Sequence, residues 1–442
     1  MSGSKRFQIW TLLVLFLSIS VTNALLYSSE GKDSPEGKII KEIRFEGIKR
    51  TKEYIVTRQL LSKVGEPLLQ DNLDKEFNRL MALDIFSNVI IEPEESGEGV
   101  ILAYRFTENF PIMALPAFRI TDENGVSVGG NIKTTNLLGK NIFLSGGMVF
   151  GGTKEAEIWI VNPWAFGNHF GYTFEYYRRD RDNLVTESFE KSNEFFLRLH
   201  GHFGEKGRIG GNFESLNIRS IEPGTTLDPD GHDRTARFNF YVGYDARDKF
   251  PNTRKGWWAE VNLGYDSRLF NSYSNFGQLD LDIRRYQPLP LGERHTLVIY
   301  SLTTLRTGTV GVSVAPWQRF AIGGTNTIRG REFADRTGKN QFINTVEYQF
   351  TLLKIRPVKL PLNINWRIGL GLALFGDLGI GWDTSSQFQT KNFIGGVGAG
   401  IRVMMPVLGM LRFDFGFGQP GKGIFLHISP FEKPVMTRKR VR

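Results

Sequence analysis

The chain has 442 residues, including 49 glycines, 35 phenylalanines and no cysteine, and its formal net charge is +9. The lack of cysteine excludes disulfides and thiolate metal sites. The basic residues are scattered rather than gathered in one stripe, which argues against a nucleic-acid partner and favours, at most, contact with anionic lipid.

The amino terminus has the pattern of an export signal. Two basic residues precede an apolar run from Ile9 to Val21, and small residues follow it. A membrane-spanning helix needs roughly 17 to 25 apolar residues, which this run does not reach. We therefore predict a signal peptide over residues 1–24 and a polar linker over residues 25–37. No later window is comparably apolar, so a mature chain that enters a membrane must cross it as strands.

Residues 38–108 have the spacing of a small α+β module. The predicted elements are a strand through Ile43 and Phe45, a helix capped by Thr51 that carries Ile55, Leu60 and Leu61, a helix capped by Asp71, and strands over Phe86–Glu92 and Val100–Phe106. A strand at the edge of such a sheet can accept another extended chain through backbone hydrogen bonds. The alternative interpretation is a spacer domain with a structural role only.

From residue 110 to residue 432, polar and apolar residues alternate between recurring turns. Sixteen strands are predicted, beginning near Ile112, Val126, Ile142, Glu155, His169, Glu194, Arg208, Arg237, Trp257, Phe276, His295, Phe342, Trp366, Gly395, Met410 and Lys422. A soluble sandwich also alternates, but the export signal, the segments of about ten residues and the aromatic residues near strand ends favour a membrane barrel. The predicted fold class is mainly β: a 16-stranded antiparallel transmembrane β-barrel preceded by one small α+β domain.

One polar segment between predicted strands is framed by glycine and carries a single arginine. Its characteristic residues are Gly323, Gly324, Ile328, Arg329, Gly330 and Phe333. The arginine offers a planar fork of donors that suits carboxylates. Alternation places three acids on the polar faces of later strands, namely Glu347, Asp377 and Asp414. These acids favour a lumenal arginine cluster, and the alternative is a surface loop with an exposed arginine.

The strands that must meet to close the barrel both carry features that weaken a β-ladder. Pro116 interrupts the first strand, and the last strand starts near Gly423 and ends at Pro430. Proline cannot donate a backbone hydrogen bond to its neighbour. We therefore expect a weak seam that can open sideways. A basic tail over residues 433–442 follows, and we interpret it as solvated.

Three short motifs resemble catalytic or cofactor sites only in spacing. A serine elbow pattern at Gly125–Gly129 and a dinucleotide pattern at Gly416–Gly421 both lie in strand-like flanks, without the helix that each requires. His200 and His202 share one strand face, but no third ligand is placed by the sequence. We expect no catalytic residue, no metal and no cofactor, and hence a protein that is not an enzyme.

These segments together resemble the BamA/TamA-like outer-membrane assembly barrels, with one POTRA domain ahead of the barrel. The residues that carry the resemblance are Gly47, Thr51 and Gly65 in the module, Asn136–Gly139, Asp245–Asp248 and Arg284–Tyr286 in the barrel, and the segment from Gly323 to Gly330. The last segment is similar to the lumenal sixth extracellular loop of that family. The resemblance implies that Arg329 pairs with Glu347 and Asp377. The chain has Arg331 and Glu332 where the family usually has an aromatic residue.

The resemblance also implies a function and partners. It implies a bacterial outer-membrane protein, with the POTRA domain over residues 38–108 in the periplasm, that inserts or transports unfolded β-barrel proteins through a laterally opening seam. The expected partners are unfolded outer-membrane proteins at the POTRA edge, the lipid bilayer, and periplasmic or lipoprotein accessory factors. The alternative is a dedicated secretion pore of the two-partner type, although such pores usually have two POTRA domains and a plug helix, for which residues 25–37 are too short.

Overall fold

The computed structural model describes residues 35–429, except for 168–169, 205, 249–251, 361–363 and 406–408. The predicted signal peptide, most of the predicted linker, Pro430 and the basic tail over residues 433–442 lie outside the described residues.

Residues 35–109 form a small domain, called here the amino-terminal domain. Its elements are β1 (Ile39–Glu46), α1 (Glu53–Thr57), α2 (Gln70–Ala82), β2 (Phe86–Ser96) and β3 (Gly99–Glu108). Strand β3 lies at the centre of the sheet, parallel to β1 and antiparallel to β2. The elements follow the predicted order of strand, helix, helix, strand and strand. No helix in the described part of the chain is both long enough and apolar enough to span a bilayer.

The first helix is shorter than predicted because a buried carboxylate holds the chain that follows it. Glu76 of α2 is fully buried and accepts hydrogen bonds from the backbone N–H groups of Leu61 (2.6 Å) and Ser62 (2.5 Å). The Tyr104 hydroxyl also donates to Glu76 (2.5 Å), and burial together with this bond raises the pKa of Tyr104. These bonds satisfy backbone groups outside a helix, so α1 ends at Thr57 and Leu60 packs from a loop.

Both predicted helix caps were wrong. The residue before α1 is Lys52, and the Thr51 hydroxyl instead donates to Glu108 at 2.6 Å. The residue before α2 is Leu69, and Asp71 lies inside the first turn, where it pairs with Lys75 at 2.6 Å. Thr51 lies one residue before the capping position and Asp71 lies within the first turn, so neither side chain is placed to accept the free N–H groups at the start of its helix.

Sixteen strands of the described chain form one antiparallel sheet. They are β4 (Met113–Thr121), β5 (Gly125–Leu137), β6 (Ile142–Gly151), β7 (Lys154–Asn162), β8 (Phe170–Asn183), β9 (Ser188–Phe203), β10 (Gly207–Ser220), β11 (His232–Asp245), β12 (Gly256–Asp266), β13 (Phe276–Pro288), β14 (His295–Arg306), β17 (Asn340–Leu360), β18 (Ile364–Trp382), β19 (Ile394–Met405), β20 (Gly409–Phe417) and β21 (Phe425–Ser429). The connection from β14 to β17 contains a small hairpin of β15 (Phe320–Ile322) and β16 (Arg336–Gly338). Short 3-10 helices occur at Leu269–Asn271, Pro316–Gln318, Ser385–Gln387 and Thr390–Asn392.

The wall of this sheet has apolar residues outside and polar residues inside. Phe238 and Phe240 are 43% and 52% exposed, whereas Asp282 and Arg284, on the opposite face, are buried. The amino-terminal domain has the usual arrangement, with a buried apolar core. An apolar exterior around a polar interior is the pattern of a barrel surrounded by lipid.

Each strand of the sheet pairs with its sequence neighbour, so the order runs without crossover from β4 to β21. These two strands lie at the ends of the order and share no ladder among the described residues, which leaves a nearly closed barrel. The turn at 138–141 faces the amino-terminal domain, since the Lys52 N–H donates to the Gly139 carbonyl at 2.8 Å. We call this end of the barrel proximal, and the end with the β4–β5 and β14–β17 connections distal.

Candidate functional site

The predicted glycine-framed segment enters the barrel, and we call residues 323–333 the lumenal loop. Gly323, Gly324 and Gly330 have φ of 120°, 89° and 81°, a region that favours glycine. A tight turn follows, because Thr327 Oγ1 accepts from the Gly323 N–H (2.7 Å) and donates to the Gly323 carbonyl (2.7 Å). This turn sends Ile328 and Arg329 towards the wall, and both side chains are fully buried.

Arg329 contacts all three acids that alternation had placed on the inner face. Its Nε and Nη2 donate to the two oxygens of Asp377 at 2.8 and 3.0 Å, and Nη1 donates to Glu347 at 2.9 Å and to Asp414 at 3.1 Å. The guanidinium carbon lies 3.4 Å from the centre of the Phe375 ring. Bidentate pairing and stacking use the planar shape of arginine, which lysine lacks.

Two further arginines complete the cluster. Arg402 donates to Glu347 (2.8 Å) and to Asp414 (2.5 Å), and Arg412 donates to Asp414 (3.4 Å). The sequence analysis missed Arg402, which the alternation of β19 could have revealed. The three arginines and the three acids balance in formal charge, so the buried cluster needs no outside ion.

The rest of the loop packs on apolar side chains and, at two glycines of the wall, directly on the backbone. Ile328 packs in a buried cluster with Tyr300, Leu302, Ile322, Ile343 and Ile394. A Cβ atom added to Gly396 would lie 1.9 Å from the Arg329 carbonyl oxygen, and one added to Gly416 would lie 2.6 Å from the Gly330 nitrogen. Glycine is therefore required on β19 and β20 where the loop crosses them. Phe333 is half-buried at the base of the loop, outside the ion cluster.

The predicted seam residues lie apart from the arginine cluster. Pro116 is exposed on the outer face of β4, opposite Gly130. Gly423 is exposed ahead of β21, which begins at Phe425 and is therefore shorter at its start than predicted. Pro430 lies outside the described residues. Among the described residues, strand β21 pairs with β20 over five residues, from Phe425 to Ser429.

The amino-terminal domain has one edge that is partly covered and one that is open. At the start of β1, Ile40 exchanges hydrogen bonds with the segment at Gly65 and Glu66 (2.8 and 3.0 Å). Strand β2 pairs with β3 on one side and has no ladder partner on the other side among the described residues. The open edge that the sequence predicted is therefore best represented by β2.

A carboxylate fixes the junction between this domain and the barrel. Glu108 accepts hydrogen bonds from the backbone and side chains of Arg50 and Thr51, and the Thr51 hydroxyl in turn accepts from Asn136 of β5 at 2.8 Å. Arg58 stacks on Trp164 of the next proximal turn, 4.8 Å from the ring centre. Burial alone would raise the pKa of Glu108, but the hydrogen bonds outweigh it and lower the pKa to about 2.

Replacing Glu108 with glutamine is expected to loosen this junction. The folded-state pKa lies below the ordinary 4.5, so the carboxylate contributes stability above about pH 4.5 that is lost as the pH falls towards 2. In the native chain, the rate of amide hydrogen exchange in peptides that contain Lys52, corrected for its intrinsic pH dependence, should therefore rise as the pH falls from about 4.5 towards 2. In Glu108→Gln it should be fast at every pH, and in the exposed control Glu95→Gln it should match the native chain. Unchanged exchange in Glu108→Gln would show that the junction is held elsewhere.

The motifs set aside in the sequence lie in wall strands or turns. Ser127 is in β5, and the glycines from Gly416 run from β20 into a distal turn. The rings of His200 and His202 are 6.0 Å apart. In the part of the chain that the structure describes, no three His, Cys, Asp or Glu side chains are grouped to hold a metal ion.

A sixteen-stranded barrel with a loop arginine in its lumen, preceded by a strand-helix-helix-strand-strand domain, defines an outer-membrane barrel with a periplasmic domain. The Omp85 superfamily domain matches residues 136–425, and the POTRA domain, described as a surface antigen variable number repeat, matches residues 38–109. The chain belongs to the Omp85 superfamily. It lies in the outer membrane with its POTRA domain in the periplasm, so the distal end is extracellular.

Comparison with individual proteins gives the same fold. The chain is 23% identical over 409 residues to the outer membrane protein assembly factor BamA of Nitratidesulfovibrio vulgaris, covering 86% of this chain and 48% of that protein. It thus spans about half the length of that relative. Among solved structures, Haemophilus ducreyi BamA lacking POTRA domains 1–3 matches with TM-score 0.56 and 15% identity, covering 88% of this chain and 83% of that one. CdiB from Acinetobacter baumannii matches with TM-score 0.55 and 15% identity, covering 89% and 73%.

Proposed function

We propose that this protein inserts or translocates unfolded outer-membrane β-barrel proteins, and that it does so without covalent chemistry. The observation that carries the proposal is the seam, where β4 and β21 end the sheet and share no ladder among the described residues. Strand edges with unpaired N–H and C=O groups readily pair with another extended chain. Membership of the Omp85 superfamily and the similarity to an outer membrane protein assembly factor support the same role.

The proposed path of a substrate begins at the amino-terminal domain. The outer edge of β2 receives an extended segment of an unfolded outer-membrane protein. Periplasmic or lipoprotein accessory factors deliver further substrate. The bonds of Glu108, Thr51 and Asn136 hold this edge in a fixed place next to the proximal end of the barrel. The segment then pairs with the edge of β4 or β21 as the seam opens into the bilayer.

The lumenal cluster serves this function as a brace. Arg329 ties the loop to acids on β17, β18 and β20, and Arg402 adds β19 to the same network. Four consecutive wall strands are therefore connected through side chains as well as through their ladders. When the neighbouring seam opens, strands β17 to β20 therefore keep their arrangement.

The proposal is tested by depleting the protein in its native host and measuring the outer-membrane proteome quantitatively. A broad loss of β-barrel proteins is the expected result, because a general insertion factor acts on many clients. Loss of one secreted protein, with the barrel proteins unchanged, would instead favour a dedicated secretion pore of the two-partner type. The BamA and CdiB barrels match this fold with TM-scores of 0.56 and 0.55, so this experiment, rather than the fold, separates the two functions.

A further inference from the structure

We propose that the lumenal loop also fastens the distal end of the seam, through a hydrogen-bonded relay of His427, Thr325 and Asp122 that we call the seam clasp. This inference rests on the proposed function, in which the end strands separate. The clasp has to break before β4 and β21 can part at the extracellular end of the barrel.

The three side chains come from both sides of the seam and from the loop between them. Asp122 directly follows β4, and His427 lies in β21. Thr325 of the lumenal loop bonds to both: its N–H donates to Asp122 Oδ2 at 2.7 Å, its hydroxyl to Asp122 Oδ1 at 2.8 Å, and its oxygen lies 3.0 Å from His427 Nδ1. Since β4 and β21 share no ladder among the described residues, these bonds join the two end strands through the loop.

The donors and acceptors of the relay fit together in one consistent pattern. The Gly330 N–H donates to His427 Nε2 at 2.9 Å, which fixes the proton of a neutral ring on Nδ1. Nδ1 then donates to the Thr325 oxygen, and the Thr325 hydroxyl proton goes to Asp122. Both ring nitrogens of His427 and the N–H and hydroxyl of Thr325 are used, and His427 and Thr325 are 3% and 7% exposed. Asp122, at the end of the relay, is partly open to solvent, with a side chain that is 26% exposed. Because Thr325 and His427 are shielded from water, removing either one leaves the other without a buried partner, which costs stability.

Neighbouring contacts hold both ends of the clasp in place. On the β21 side, Glu332 of the lumenal loop pairs with Lys422 at 2.9 Å and its N–H donates to Gln419 at 2.9 Å. On the β4 side, Asn124 donates to the Asp182 carbonyl at 3.0 Å, and Arg119 pairs with the buried Glu155. The first hairpin is thereby tied to the wall beyond it. A loop that were merely packed in the lumen would not need specific bonds to the residues that flank the seam.

The test measures the width of the seam directly. The natural chain has no cysteine, so Ile120→Cys and Leu426→Cys provide two unique sites for spin labels on the outer faces of β4 and β21. Distances between the labels are measured by pulsed electron paramagnetic resonance in lipid nanodiscs, in the otherwise native chain and in the chain that also carries Thr325→Val. Thr325→Val removes both hydrogen bonds of the hydroxyl, so it should raise the population with a wide seam by at least roughly three- to tenfold, the range expected for a single internal hydrogen bond.

A matched control and a second variant make the result decisive. Thr304→Val removes a fully buried hydroxyl that donates to Asp280 at 2.8 Å on the wall, and it should leave the distances unchanged. Asp122→Asn keeps the shape but has one acceptor for the two donors of Thr325, so it should widen the seam even where Thr325→Val fails to assemble. Combining Asp122→Asn with Thr325→Val should widen it no further than the larger single effect, because the residues act as one unit.

The outcomes separate this inference from the proposed function. Unchanged distances in both Thr325→Val and Asp122→Asn, or an equal change in Thr304→Val, would overturn the clasp. The same proteins are also assayed for insertion of an unfolded β-barrel protein into lipid vesicles. If the seam widens in Thr325→Val and Asp122→Asn but the native protein inserts nothing, the clasp stands and the proposed function is wrong. If the native protein inserts the substrate but the label distances are the same in every variant, the proposed function stands and the clasp is wrong.

Discussion

Replacement of Arg329 with alanine is expected to lower the heat resistance of the folded barrel and the amount that assembles. The guanidinium is fully buried and bonds to three carboxylates, so its removal leaves Glu347, Asp377 and Asp414 with two arginines for three charges. Breaking a buried ionic cluster by removing one partner costs about 3 to 5 kcal/mol. Asp377 is affected most, because it takes two of the side-chain bonds and also accepts the Arg329 N–H at 3.0 Å.

The change is measured by the gel mobility of unboiled samples over a temperature series. Folded barrels migrate differently from unfolded chains, and the transition of Arg329→Ala should fall clearly below that of the native protein. Arg329→Lys keeps the charge but loses the fork and the stacking on Phe375, so it should lie between the two. Arg336→Ala removes an exposed arginine of the same connection and should behave like the native chain. A native transition in Arg329→Ala, together with normal assembly, would show that the cluster does not brace the wall.

The inner-face acids could be predicted because strand alternation is a local property. The period of two fixes the face of Glu347 and Asp377 from their own neighbours, without any knowledge of the partner strand. Burial on that face follows from the barrel, and the structure brings both acids to Arg329. Even the number and order of the wall strands required only turns and alternation.

Features that depend on distant parts of the chain could not be predicted in this way. The end of α1 is set by Glu76, which lies in the next helix and reaches back to Leu61 and Ser62. The clasp needs β4 and β21, at opposite ends of the barrel sequence, to lie beside the same loop residue. Thr325 alone resembles any loop threonine, because only the folded barrel brings Asp122 and His427 within reach.

Replacement of Gly396 with alanine is expected to displace the lumenal loop without touching a charge. The added methyl carbon would lie 1.9 Å from the Arg329 carbonyl oxygen, and because this is backbone, no side-chain rotation relieves the overlap. Moving the loop also pulls the guanidinium away from its acids, so the loss should approach that of Arg329→Ala, at least about 3 kcal/mol.

Gly130 of β5 provides the matched control for this change, since a Cβ atom there would meet no atom within 4 Å. Gly130→Ala adds the same methyl group to another wall strand and should leave the heat transition unchanged. The double variant Gly396→Ala with Arg329→Ala should be little worse than either single variant, because both remove the same interaction between loop and wall. Fully additive losses would mean that Gly396 stabilises the barrel by a separate route, and that the loop keeps its place without the close contact at β19.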